Sequence, residues 1–354
     1  MRIQTVLKIM REIKYMRAVF RRFGDSLARG KYYQHKCFRA ISLCAPATRD
    51  KARLYFDNKS STKRTADVAM ALNKIGFYKN KNRRSTEDYE AFYVANNYDN
   101  VREAKLFSFK REKILTVCTS PDEMNKQLSQ YEVFGSAYNM PKVVKNDRYE
   151  NSFEISMINL KSFNNEVLAL GNIAKSVCTY NPSVDGLNFE SAKTALEVSY
   201  QNEEIHDYMQ KIADKISPAV MSMQIPYCMQ HGDLSKENLL YGECEGKTDF
   251  WWIDWEHAAD RPFFYDFFFY IVHSAFYGKR EAYNSYINGE TDNILEELFS
   301  HFGLKYEKEY RFDYLMLYFT YFLNERVCFV SGLPTVKKYY ELIETLEAET
   351  HNEA

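Results

Sequence analysis

Apolar positions Ile3, Val6, Leu7, Met10, Ile13, Met16, Val19, Phe20 and Phe23 recur at helical spacing, with basic residues on the opposite face, so the chain is expected to open with an amphipathic helix over 3–23. Residues 36–58 read as loop and strand, broken at Ala45-Pro46 and Asp57-Asn58, and a helix from about Thr62 to Leu72 follows. The basic run KNKNRR at 79–84 is a turn. From Tyr89 the pattern changes: Tyr89–Ala95, Val101–Phe109 and Lys113–Thr119 carry β-branched and aromatic residues and predict three strands, with a hairpin tip at 96–100. Pro121-Asp122 starts a helix that runs to about Phe134, followed by strands near Lys142–Val144 and Phe153–Ile158. Beyond 160 the spacing is mainly helical, over about 162–177, 188–216, 264–277, 293–302, 312–330 and 336–349.

One stretch interrupts that rhythm, residues 229–266: MQHGDLSKENLLYGECEGKTDFWWIDWEHAADRPFFYD. His231-Gly232-Asp233 forms a turn, and Asn238 lies five positions after Asp233. Leu239-Leu240 begins a strand, GECEGKTD is a hairpin turn, and the strand Phe250–Ile253 delivers Asp254 at its end. Asp233, Asn238 and Asp254 are thereby expected near one another. They supply one carboxylate to take a proton and two oxygen ligands for a hard cation. Mg²⁺ accepts so sparse a set because it keeps waters and takes its other ligands from phosphates. Lone Asp and Asn residues are usually turn formers or caps, but this order beside apolar strands points to phosphoryl transfer to a hydroxyl.

HGDLSKEN, then IDWE, then Pro262-x-x-Tyr265-Asp266 resembles the catalytic core of the aminoglycoside phosphotransferase and choline kinase-like families, relatives of the protein kinases. Gly232 stands where protein kinases carry an Arg, and Trp255-Glu256 where they carry Phe-Gly; both changes point to the small-molecule branch. The resemblance implies an α+β, two-lobed protein kinase-like fold: a basic helical extension over 1–86, a nucleotide-binding lobe with a small antiparallel sheet over 87–159, and a mainly helical lobe over 160–354. It implies ATP and Mg²⁺ as cofactors. Asp233 becomes the general base, Asn238 and Asp254 the metal and nucleotide ligands, and Lys236 a cation for the transferring phosphate, with a solvent-facing lysine as the plainer alternative. His231 is expected to tie the loop to neighbouring backbone, and Asp266 to brace it or to cap a helix. Glu256 and His257 are weighed as metal or acceptor contacts.

A kinase nucleotide lobe places a Lys on its third strand, paired with a helix Glu, to hold the phosphates. Glu132 fits the Glu, yet Ile114–Cys118 contains no Lys. Lys113 precedes that strand and Lys105 lies on the preceding one; Lys105 is the choice for the phosphates. Ile158 marks the start of the hinge, where backbone groups would meet adenine. No G-x-G-x-x-G is present, so the tip at 96–100 would have to cover the phosphates with backbone N–H groups.

Composition changes little: 45% hydrophobic and 27% charged residues describe an ordinary globular chain of 354 residues, long enough for two sizeable lobes. Seven cysteines, without a C-x-x-C pair, read as reduced thiols of a cytoplasmic protein. Neither Phe263–Tyr277 nor Leu315–Val330 is an uninterrupted apolar run of membrane length, and no signal peptide is evident. The net charge of −1 conceals an asymmetry, since residues 1–39 carry eleven Lys/Arg against Glu12 and Asp25. That segment reads either as a helix on an anionic membrane surface, placing the protein at the inner face, or as a packed helix with a solvated basic face. No nucleic-acid partner is expected. The basic segment tilts the acceptor towards a sugar of a lipopolysaccharide or other cell-surface glycan. A choline/ethanolamine- or aminoglycoside-type kinase and an inactive pseudokinase scaffold are the alternatives.

Overall fold

The computed structural model describes residues 3–33, 40–42, 79–86, 88–93, 103–146, 148–196, 200, 202–329 and 332–352. The expected helix at 62–72 and the tip at 96–100 lie outside these residues. The chain divides into two units. The first comprises Met1–Gly135, Asn139–Ser162 and Tyr241–Trp251, and the second Ser136–Tyr138, Phe163–Leu240 and Trp252–Ala354. Residues 1–86 and 87–159 therefore fall, except for 136–138, in the same unit.

The first unit is a sheet with a helix on each face. Helix α1 (Ile3–Phe23) forms as its apolar periodicity predicts. Strands β1 (Gly30–Tyr33), β2 (Ala40–Ser42), β3 (Lys79–Asn80), β4 (Ala91–Tyr93), β5 (Ala104–Ser108), β6 (Lys113–Val117), β7 (Val143–Lys145) and β8 (Ser152–Ser156) run in the order β3-β1-β2-β4-β5-β6-β8-β7. Alternation sorts their side chains. Phe92, Ala104, Leu106, Leu115 and Val117 pack with Tyr15, Met16, Val19 and Phe23 of α1, while Ala91, Phe107, Phe109, Ile114 and Met157 form a second cluster. Helix α2 (Pro121–Phe134) starts at Ser120, whose hydroxyl accepts from the Glu123 amide, while the Glu123 carboxylate accepts from the Thr119 amide. Its Tyr131 ring meets Phe153 at 6.3 Å. The stretch after Ile158 is a short strand, β9 (Asn159–Leu160).

The second unit is mainly helical. Its helices are α3 (Glu166–Tyr180), α4 (Glu203–Ala213), α5 (Pro218–Met221), α6 (Tyr265–Phe276), α7 (Glu281–Ile287), α8 (Asp292–His301), α9 (Arg311–Phe329) and α10 (Leu333–Asn352). The helix expected over 188–216 is not continuous. Asn188–Ser191 is strand β10, held in register with Gln224–Tyr227 of β11 (Gln224–Gln230). Helix α4 begins only at Asn202, whose side chain accepts from the Glu204 and Ile205 amides. Backbone pairing across the sheet prevails there over local helical spacing. Strand β11 also pairs with β14 (Ala259–Pro262). Between them in sequence comes the expected hairpin, β12 (Leu239–Cys244) and β13 (Lys247–Trp252), which forms a separate sheet with β9 beside β12; its residues 241–251 belong to the first unit. The two apolar runs considered as membrane spans are α6 and α9. Residues 265–272 of α6 are all buried, and among the described residues no helix is long and apolar enough to cross a membrane.

Candidate active site

Strand β11 ends at Gln230, and the next two residues are held by a buried carboxylate. Asp266, in the first turn of α6, is fully buried. It accepts from the backbone amides of His231 at 2.6 Å and Gly232 at 2.9 Å, and its own amide donates to the Gln230 side chain at 3.1 Å. Burial pushes its pKa up to about 6 against the two amide hydrogen bonds and the charge of Arg261. Its side-chain hydrogen bonds run to the loop, and its helix has no side-chain cap bond.

His231 is also fully buried, and burial lowers its pKa to about 4, so it is neutral near pH 7. Nε2 lies 2.8 Å from the Ile253 carbonyl, and Nδ1 accepts from the Asp233 amide at 3.3 Å. These two contacts require the tautomer with hydrogen on Nε2. One imidazole therefore ties the start of the acidic turn to the residue preceding Asp254. Its ring packs on Trp255, 4.8 Å between centroids.

Gly232 is the position that differs from the protein kinases, and the geometry requires glycine. Its φ is +81°, and an added Cβ would stand 2.3 Å from Arg261 Nη1 and 2.5 Å from the His257 carbonyl. Arg261 on β14 fills that space. Its guanidinium donates to the His257 carbonyl at 2.8 Å and to both oxygens of Glu325 on α9, at 3.0 Å and 2.5 Å. It also lies over the Tyr265 ring, whose hydroxyl donates to Glu325.

The turn after Asp233 closes through Ser235 N to Asp233 O and Asn238 N to Ser235 O, both 2.9 Å. Asn238 is buried and donates through Nδ2 to the Asp233 carbonyl at 2.7 Å and to the Asp233 carboxylate at 3.4 Å. Its Oδ1 is the atom left for a cation. The Asn238 carbonyl accepts from the Ile253 amide at 3.1 Å, so the turn and the strand leading to Asp254 share a ladder bond. Asp254 is exposed, forms no side-chain cap bond, and sits at φ 69° and ψ 58°. A left-handed aspartate is strained by roughly 1 kcal/mol; Glu112, Asn151 and Glu245 share the left-handed region. An amide oxygen and an exposed carboxylate, without nitrogen or sulfur donors, fit a hard oxygen-seeking cation. Among the described residues no cluster of three or more His, Cys, Asp or Glu is suited to a metal, so phosphate and water would complete the shell.

Lys236 is engaged. Its Nζ lies 2.5 Å from Glu166 of α3 and 5.7 Å from the centre of the Tyr270 ring, and the Tyr270 hydroxyl donates to the other Glu166 oxygen at 2.9 Å. Glu256 and His257 are exposed and face each other at 3.4 Å.

Lys105, Glu132 and Ile158 belong to the first unit. Sheet register separates the two candidate lysines. Lys105 pairs with Thr116, and Thr116 with Phe153, the residue that meets α2. Lys105 is exposed on that face, the one carrying the helix of Glu132, which is exposed as well. Lys113 has the parity of Leu115 and Val117, which face α1, and its Nζ is bonded to Ser156 Oγ at 2.8 Å. Ile158 is buried.

Arg261, Glu325 and Glu166 were not singled out from sequence. A signal existed for one pair: Glu325 interrupts the apolar run 315–330, and a carboxylate on a core helix demands a cation.

No family model matches this chain, and no curated protein does. Among solved structures it is similar to choline kinase LicA from Streptococcus pneumoniae (13% identity over 70% of this chain and 91% of that one, TM-score 0.37). It is also similar to a choline/ethanolamine kinase family protein from Mesorhizobium loti (15%, 70% and 85%, TM-score 0.38). A third is an aminoglycoside phosphotransferase from Alicyclobacillus acidocaldarius (12%, 75% and 91%, TM-score 0.39). These three structures, two of the choline kinase type and one aminoglycoside phosphotransferase, all match at TM-scores below 0.5.

Proposed function

We propose that this protein is an ATP- and Mg²⁺-dependent phosphotransferase acting on a hydroxyl of a non-protein acceptor, a sugar of a lipopolysaccharide or other cell-surface glycan. One observation carries the reading: Asp233, Asn238 and Asp254 are fixed to a single scaffold by the His231 bridge and the Asn238–Ile253 ladder bond, with Asp254 held in a strained left-handed conformation. Asp233 orients the acceptor hydroxyl and takes its proton. Asn238 Oδ1 and the Asp254 carboxylate hold Mg²⁺, which supplies charge neutralisation for the phosphates. Lys105 serves the nucleotide, since it is the lysine on the face that carries α2. Lys236, neutralised by Glu166, acts chiefly by fixing the loop through α3 and α6. The acceptor class rests on the basic segment, which suits a glycan borne on an anionic surface.

A second reading, a nucleotide-free scaffold, is favoured by the third strand, where the only lysine is bonded to Ser156 on the face opposite α2. Mg²⁺-dependent ATP binding and slow hydrolysis by wild type, beside Asp233→Ala and Asp254→Ala, separates the two. Binding with turnover that both variants lose supports the phosphotransferase. Absence of nucleotide binding at any Mg²⁺ concentration leaves the scaffold.

A further inference from the structure

Among the described residues, the C-terminal half of the apolar face of α1, which would have to enter a bilayer if this helix lay in one, is already used. Tyr15, Met16, Val19 and Phe23 are buried in the sheet of the first unit. What the helix leaves outside is charge. At 100° per residue, Arg11, Lys14, Arg17 and Arg21 fall within an arc of about 120° directly opposite the buried arc, along about 15 Å of helix. All four are exposed. Among the described residues none of the four has an ion pair or a side-chain hydrogen bond.

The basic turn of residues 79–84 continues the stripe. Asn80 Nδ2 donates to the Gly24 and Leu27 carbonyls at 3.0 and 2.7 Å, which clamps this turn against the C-terminal end of α1. Asn82 bonds Asp25, the acid at that end. Lys81, Arg83 and Arg84 are exposed on the turn. Complementing the helix dipole accounts for Arg21 in the last turn, but not for Arg11, Lys14 and Arg17, which lie a turn or more away.

We infer that this face docks the protein electrostatically on an anionic phospholipid surface. The cations stand on one side of a convex helix and its adjoining turn, the arrangement a plane of headgroups can meet all at once. Met10, 62% exposed, lies within the same arc. Among the described residues no exposed aromatic ring stands among these cations to stack a base, which counts against a nucleic acid. With Met16, Val19 and Phe23 committed to the fold, attachment is by charge, and salt reverses it. The inference deepens the proposed reaction by naming the surface that carries the acceptor, and it rests on that reading for this link alone.

The test is sedimentation of the full chain with vesicles of phosphatidylcholine, with or without about 30 mol% phosphatidylglycerol, at about 0.05 and about 0.5 M NaCl. Expected is binding to the anionic vesicles at low salt, loss of it at high salt, and none to neutral vesicles. Each cation contributes about fivefold, so the variant R11Q/K14Q/R17Q/R21Q binds about 600-fold more weakly with an unchanged thermal transition, whereas Lys308→Gln, on the exposed surface of the second unit, binds like wild type. The inference is overturned by an absence of binding to anionic vesicles, by salt-resistant binding to neutral ones, by wild-type binding of the quadruple variant, or by tighter binding to duplex DNA. No ATP enters this assay. A chain that docks yet never turns over nucleotide retains the surface and loses the phosphotransferase reading, and the reverse outcome does the opposite.

Discussion

Replacing Asp266 by Asn should raise stability at neutral pH while impairing the site, because this carboxylate is fully buried yet ionised near pH 7. Its pKa rises to about 6 from an ordinary 3.8. At roughly 1.4 kcal/mol per unit, that displacement is worth about 3 kcal/mol. A carboxyl whose folded pKa is raised holds its proton more tightly in the folded state, so its contribution falls as pH rises from 3.8 to about 6 and stays low above that. Asparagine mimics the protonated carboxyl and never ionises. The variant is therefore expected to match wild type near pH 4 and to exceed it by up to about 3 kcal/mol near pH 7.5. Asparagine offers one oxygen to two amides, so either His231 N or Gly232 N loses its acceptor, the acidic turn shifts, and Mg²⁺-ATP turnover falls by about tenfold or more. Urea titrations across this pH range, followed by tryptophan emission, measure the effect; of the three tryptophans, Trp252 and Trp255 lie beside the His231 ring of this turn. His231 titrates with the opposite sign, its folded pKa of about 4 giving stability that grows as pH rises from 4 to 6.5. It is present in both proteins and cancels in their difference. A difference that is flat, or that declines with pH, refutes the reasoning.

Three other outcomes follow from the same loop. Gly232→Ala places a methyl 2.3 Å from Arg261 Nη1 at φ +81°, so turnover is expected to vanish and thermal melting to show a loss of about 2 kcal/mol or more. Arg261→Lys cannot reproduce the two-pronged contact with Glu325; with side-chain exposures of 11% and 33% the loss should be about 2–3 kcal/mol, below that for a fully buried pair, and a double-mutant cycle with Glu325→Gln should show coupling. Asp254→Asn should leave stability unchanged or slightly raised, since asparagine tolerates the left-handed region, while Mg²⁺-dependent nucleotide binding disappears in calorimetry.

Local pattern made much of this legible. The apolar positions Ile13, Met16, Val19, Phe20 and Phe23 of α1, the Pro121 start of α2 and the alternation of β5 and β6 each agree with their surroundings, so propensity and tertiary context point the same way. The acidic turn and hairpin were legible because strand, turn and charged residue follow within a few positions. Where the reading failed, at 188–216, a partner remote in sequence decided the outcome: β10 exists because β11 offers it an edge. Strands β11 and β14 were missed for the same reason, since neither alternates clearly and each is defined by the other.

The residues that expose chemistry and those that hold it obey different rules. Asp233 and Asp254 announce themselves as acids at strand ends. Arg261, Glu325 and Glu166 do not, because a buried ion pair is visible only once two distant segments meet. Gly232 links the two classes. A glycine at that point looks like mere turn chemistry, yet the atoms within 3 Å of its missing methyl are the guanidinium of Arg261 and the carbonyl of His257, four positions before that arginine. The small residue is there because an arginine from another strand needs its space. Its guanidinium then joins the acidic turn, the segment after Asp254 and helix α9 through hydrogen bonds and close packing. A substitution at Glu325, on a helix that carries none of the proposed catalytic groups, should therefore weaken Mg²⁺-ATP turnover more than it weakens the fold, with Glu325→Gln keeping part of the contact and Glu325→Ala none. Equal losses of turnover and of melting temperature in both variants would instead make the clamp a purely structural one.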